Sequence, residues 1–237
     1  MAYIFAGQSL LEFGIPISWS SFEQIDRNWT TYPMDSRVVN EDMSFPMIKP
    51  WLDHTFFLPL IAGGWSELGG YSFGTIPPAL WYRLPMLAIA MVTLVLAFFL
   101  AKDTFGYWPA VLSLLLLSFS PAIIIIQRMV VTENLIIPFL LAALLLYQKK
   151  QALFFVIIAS VLAALAKPTG LAVLLIITFD LLLKKQWKTA IIYTVSTLSL
   201  FLVVYLFYLS VITPDIITSL LTQSHRLIGW SNPAFLL

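Results

Sequence analysis

The sequence predicts an all-α, polytopic membrane protein with about six transmembrane helices and a polar first loop that carries short interfacial helices. Three observations lead there. Of the 237 residues, 60% are hydrophobic and only 11% charged, whereas soluble domains carry about a quarter charged residues. The mean hydropathy is +0.91. Beyond Pro85 the charges fall in short clusters separated by apolar runs, and a spanning helix needs roughly 20 apolar residues. The net charge of +1 gives no reason to expect a nucleic-acid partner. The absence of cysteine excludes disulfides and thiolate metal sites.

Residues 1–80 hold Glu12, Glu23, Asp26, Asp35, Glu41, Asp42, Asp53 and Glu67, punctuated by Gly and Pro. Within them "AYIFAGQSLLEFG" predicts a short helix ended by Gly14, and "FFLPLIAGGWSELGG" a short helix at the membrane interface. The first 20 residues lack the basic start and clean apolar run of a cleavable signal. Trp19, Trp29, Trp51, Trp65 and Trp81 fit an aromatic belt at headgroup level. Six spans are expected near 84–101, 108–126, 132–148, 152–166, 168–183 and 189–211, forming a domain over 81–211, with 212–237 opening a further loop. No internal repeat of the inverted-topology kind is visible.

The connecting loops set the orientation. Lys102, Lys149, Lys150, Lys184, Lys185 and Lys188 lie in one set of short loops, and the alternate set holds only Arg128 and Lys167. The positive-inside rule then places the lysine loops in the cytoplasm. Residues 1–80, the Arg128–Glu133 turn, Lys167 and the C-terminal segment are expected outside a plasma membrane. Membrane lipids are necessarily partners.

Several charges have a plain structural reading. Asp180 precedes Lys184 by one helical turn and predicts an i,i+4 ion pair, and Lys102–Asp103 reads as a loop turn. A lone His225 followed by Arg226 reads as a surface pair, and "NWT" at Asn28 is a glycosylation triplet too common to carry weight. The outer groups carry more. "QRMVVTEN" sets Arg128 and Glu133 in one tight turn between apolar helices, either as snorkelling interface charges or as an anion clamp with its carboxylate. Lys167 in "LAKPTG" is either an anchor or a further cation. With Arg83 these make a cationic ring suited to a lipid phosphate. Asp53–His54 in "KPWLDHTFFLPL" is either a polar helix cap or chemistry, since Asp can act as a base or hold a divalent metal ion and imidazole can ligate or orient.

In order, "AYIFAGQSLLEFGIPISWS", "PWLDHTFFLPLIAGGW", "WYRLPMLAIAMVTLVLAFFLAKDTFG", "SFSPAIIIIQRMVVTENLIIPFLLAALLLY" and "AALAKPTGLAVLLI" resemble the polytopic C-fold glycosyltransferases, most closely family 39, the protein O-mannosyltransferase and aminoarabinose-transferase group. The resemblance covers about 1–211. It implies an enzyme of the cell envelope that moves a sugar from a polyprenyl-phosphate donor to a protein, lipid or glycan acceptor outside the cytoplasm. The family's catalytic Asp–Glu pair would lie just before the first helix here, upstream of Met1. The chain is accordingly expected to be a fragment, inactive alone, that also continues beyond Leu237. A second family motif reads acid, then His or Lys, then two prolines. Asp53–His54 matches its first half, with Thr55–Phe56 in place of the prolines. The resemblance assigns Asp53 to a metal or to positioning the acceptor, with His54 beside it. It assigns Arg128 and Lys167 to the donor phosphate and Glu133 to orienting Arg128. A transporter or lipid flippase would want charges in mid-span, and these sit at span ends. A non-catalytic scaffold would tolerate loss of Asp53 or Arg128.

Overall fold

A computed structural model describes residues 2–18, 29–33, 44–52 and 54–212. They fall into two units, the described residues before Ala79 together with 205–212, and residues 79–204.

In the first unit, α1 (Ala2–Phe13) ends where Gly14 predicts, and α2 (Phe57–Leu68) follows a two-stranded antiparallel ribbon. The ribbon pairs β1 (Trp29–Pro33) with β2 (Ser44–Ile48), Trp29 opposite Ile48 and Pro33 opposite Ser44. The fold class remains all-α as expected, and the ribbon is a short addition within the polar first loop. Its short β-branched and aromatic run "WTTYP" suits an extended chain. α2 buries Leu58, Pro59, Ala62, Gly63 and Ser66, an i,i+4 stripe and its neighbours. That stripe meets Gly7 and Gln8 of α1, while Phe5 packs against Ile17 and Ala6 against Trp51. The crossing is at backbone contact: a Cβ on Gly7 would lie 1.9 Å from the Pro59 carbonyl oxygen, and one on Gly63 2.2 Å from the Gly7 carbonyl carbon. Only glycine permits that approach.

In the second unit the helices are α3 (Ala79–Phe105), α4 (Tyr107–Phe119), α5 (Pro121–Arg128), α6 (Thr132–Gln148), α7 (Leu153–Ala166), a 3-10 turn (Pro168–Leu171), α8 (Ala172–Leu183) and α9 (Trp187–Ile212), whose final residues belong to the first unit. α3 and α9 are long and apolar enough to cross a membrane, and α4 with α5 makes a third candidate broken by a 63° bend. The six predicted runs are all helical, yet only these two or three meet that length. The bend has a local cause. Pro121 has no N–H and pushes Ser120 out of the helical region, to φ −68° and ψ 116°. Pro168 likewise ends α7 and leaves Lys167 extended. The expected loop turn at Lys102–Asp103 is instead the last turns of α3.

The core of this unit joins Ala143 of α6, Val156, Ala159 and Ala163 of α7, Val173, Leu174, Ile177 and Leu181 of α8, and Ala190 and Tyr193 of α9. Small residues on α7 let its neighbours approach closely. Ser160 and Tyr193 share a 2.7 Å hydrogen bond, and Thr178 and Thr194 one of 2.8 Å, so α9 is tied to both α7 and α8. The outward faces are apolar: Met91 and Val95 of α3, Leu175 and Phe179 of α8, and Ile191 and Val195 of α9 are all more than half exposed. Continuous apolar exposure of this extent fits a hydrocarbon surround rather than water.

Candidate functional site

The helix turns opposite the lysine loops bring two of the sequence-predicted residues together. Glu133 is in the first turn of α6, where its charge complements the helix dipole, and Lys167 caps the C-terminus of α7, where a cation does the same. Lys167 Nζ donates to Glu133 Oε1 at 2.5 Å, and Thr132 Oγ1 donates to Glu133 Oε2 at 3.2 Å. Both partners are partly exposed, so the pair is a modest stabiliser. Asn134 fixes the turn beside it, donating through Nδ2 to the Ile126 and Met129 carbonyls at 2.8 and 2.7 Å. The same two carbonyls also accept the Met129 and Val131 N–H groups, at 3.0 and 3.1 Å, so the end of α5 is held by backbone and side chain together.

Arg128, the last residue of α5, is exposed and has no ionic partner among the described residues. Glu133 was expected to orient it; the carboxylate pairs with Lys167 instead, because Lys167 reaches it across the α6–α7 contact. The trio keeps one net positive charge, carried by Arg128. Arg83 is exposed near the start of α3, its guanidinium 5.6 Å from the neighbouring Tyr82 ring. α3 and α6 run with their C-termini together, joined by Thr104 and Gln148. Arg83 therefore lies at the Glu133 end, without contacting the Glu133–Lys167 pair.

In the first unit, His54 packs against aromatic rings: Tyr3 at 5.1 Å and Trp51 at 5.8 Å between centroids, with Tyr3 and Trp51 edge to face at 5.6 Å. Trp51 is only 2% exposed, so it anchors this cluster inside the protein rather than standing in an interfacial belt. Asp53, Asn28, Trp19 and His225 lie outside the described residues. No group of three His, Asp or Glu side chains gathers as a metal site among the described residues.

Three arrangements went unread in the sequence. Gln8, fully buried, donates through Nε2 to Ser66 Oγ (2.8 Å) and to the Tyr71 and Thr75 carbonyls (2.9 and 3.2 Å). Glu12 Oε1 accepts the Phe73 N–H at 2.6 Å. These contacts tie α1 to α2 and to the segment after it across about 60 residues of sequence, which local pattern cannot reveal. The third is at the lysine end, where Tyr147 donates to Asp180 and Lys184 Nζ to the same carboxylate at 2.5 Å. The i,i+4 pair was expected; the tyrosine from α6 was not.

Comparison with models of known families, with curated proteins and with solved structures finds no match for this chain.

Proposed function

We propose that the protein is a six-span membrane glycosyltransferase of the plasma membrane, moving a sugar from a polyprenyl-phosphate donor to a protein, lipid or glycan acceptor on the side opposite the lysine loops. One observation carries the reading. The two turns singled out by the resemblance to family 39, "QRMVVTEN" and "LAKPTG", are held together by the Glu133–Lys167 ion pair, beside an unpaired Arg128. In an inverting transfer the acceptor hydroxyl oxygen attacks the sugar C1. The C1–O bond to phosphate breaks with its electron pair on the phosphate, and a carboxylate takes the hydroxyl proton. Arg128 and Lys167, with Arg83 further out, supply the positive charge for the departing phosphate. His54 with Asp53 positions the acceptor; a divalent cation held through Asp53 would add charge for the same phosphate.

The test is donor binding by the reconstituted protein, titrated with polyprenyl phosphate. Arg128→Ala and Lys167→Ala should each weaken binding about tenfold, the effect of losing one charge-assisted hydrogen bond. Equal affinity in the parent and both variants would remove the donor site from this end of the molecule.

A further inference from the structure

The lysine end of the second unit holds a cavity of about 1050 Å³ that the reading above does not use. Its apolar walls come from Ala97 and Leu100 of α3, Leu144 of α6, and Ile176 and Ile177 of α8. Ile176 is half exposed, so the cavity opens on the apolar exterior. Its polar rim includes Tyr147, Lys150, Asp180, Lys184 and Gln186.

Charge at this end is not balanced. Six lysines (102, 149, 150, 184, 185 and 188) stand against Asp103 and Asp180. Those acids pair with Lys149 at 3.3 Å and Lys184 at 2.5 Å. Lys102, Lys150, Lys185 and Lys188 have no ionic partner among the described residues, a surplus of four positive charges. Helix dipoles do not absorb it. The C-termini of α3, α6 and α8 converge here at about −0.5 charge each, but the N-termini of α4, α7 and α9 follow at the same end and offset them.

The turns that carry the rim are built alike. In "KKQ" at 149–151, the Lys149, Lys150 and Gln151 N–H groups donate to Leu145, Tyr147 and Leu146. In "KKQ" at 184–186, the Lys184, Lys185 and Gln186 N–H groups donate to Asp180, Leu182 and Leu181. Each turn places its second lysine in the left-handed region, at φ 52° for Lys150 and 58° for Lys185. Glycine is the usual residue at such a helix end, and any side chain there is strained. Both turns accept that strain and keep a cation.

We propose that this cavity binds an anionic phospholipid from the leaflet next to the lysine turns, its acyl chain along Ala97, Leu144 and Ile176 and its phosphate between Lys150 and Lys184. Basic pockets between membrane helices suit such headgroups, and the opening past Ile176 gives a chain its path. The proposal is independent of the donor site, which lies at the other end of the same helices.

Binding is read by native mass spectrometry of the detergent-solubilised chain, titrated with phosphatidylglycerol, phosphatidylcholine and soluble glycerol phosphate. The parent should prefer phosphatidylglycerol over phosphatidylcholine by about tenfold. Lys150→Gly keeps its turn and should weaken phosphatidylglycerol about fivefold. Lys185→Gly removes the same charge from the twin turn at a residue that does not itself line the cavity, and should change binding less than about twofold. Ala97→Phe, which fills the apolar part, should match Lys150→Gly. Equal losses in the two glycine variants would mean diffuse surface charge and overturn the proposal, as would an unchanged Ala97→Phe. Glycerol phosphate binding as tightly as the lipid would assign a soluble anion instead. If Ala97→Phe does not fold, the two glycine variants decide alone.

Discussion

Glu67 shows how one residue in the first unit can be read for stability. It lies in the last turn of α2, half-buried, and its Oε1 is enclosed with no hydrogen-bond partner among the described residues. Burial, and then the Glu12 carboxylate, raise its pKa above the ordinary 4.5. An acid whose folded pKa lies above its unfolded value holds its proton more firmly in the folded state. The stability it contributes is therefore present in acid and lost as pH rises through the folded pKa. Glu67→Gln should accordingly raise the melting temperature at neutral pH, with the gain shrinking on acidification toward pH 4.5. Melts at the two pH values check this; an equal gain at both, or a loss at neutral pH, would mean that the charge is not the cause. Gln8 carries more. Gln8→Leu would take the side-chain donor from the Thr75 carbonyl and leave the Ser66 hydroxyl and the Tyr71 carbonyl only their 3.3 Å bond to each other, at a cost of about 2 kcal/mol, seen as a lower denaturation midpoint.

At the scale of elements, the α1–α2 crossing makes a sharp prediction through two adjacent glycines. Gly63→Ala would set a Cβ among backbone atoms of α1, at 2.2 to 2.5 Å, so no side-chain rotation can relieve it. Gly64→Ala meets nothing closer than Leu11 Cδ1 at 3.8 Å. The first should cost about 2–4 kcal/mol as the helices part, and the second should be neutral or stabilising by up to about 1 kcal/mol. Thermal unfolding of the two variants, with proteolysis of α1 as a second readout, separates them; similar behaviour would mean that the helices are not in backbone contact. The helix positions themselves were legible, since apolar runs and the punctuation at Gly14, Gly106 and Pro168 mark them in the chain. The partners were not. Nothing local in "GQS" announces that Gly7 meets Gly63 or that Gln8 reaches Thr75, and nothing in "TEN" says that Glu133 takes Lys167 rather than Arg128. The bend at Ser120–Pro121 was readable from the proline but was absorbed into one apolar run.

For the whole molecule, composition is legible and span count is not, because hydrophobicity reports what a helix touches and length decides whether it crosses. At 1.5 Å per residue, α7 is about 21 Å long and α6 about 25 Å, and with about 2.0 Å per residue in its 3-10 turn the segment through α8 is about 26 Å. The hydrocarbon core is about 30 Å, so the hairpin α7–α8 ends a few ångströms short. Its tip either lies in a thinned bilayer or stops inside the near leaflet. The Glu133–Lys167 pair sits at that tip. It places that tip level with the start of α6, and it replaces two opposite charges near membrane depth by a neutral pair, which lowers the cost of a shallow position. The sequence has no cysteine, so one introduced thiol at a time reports its own side without background. Lys102→Cys, Lys150→Cys and Lys185→Cys should react with an impermeant maleimide from one face of sealed vesicles, and Met129→Cys and Thr169→Cys, both exposed, only from the other. Thr169→Cys decides the matter. Reaction from the opposite face means that α7 and α8 both cross and six spans stand, whereas reaction from the lysine face, or protection from both, makes the pair re-entrant and moves Lys167 away from any donor phosphate on the far side.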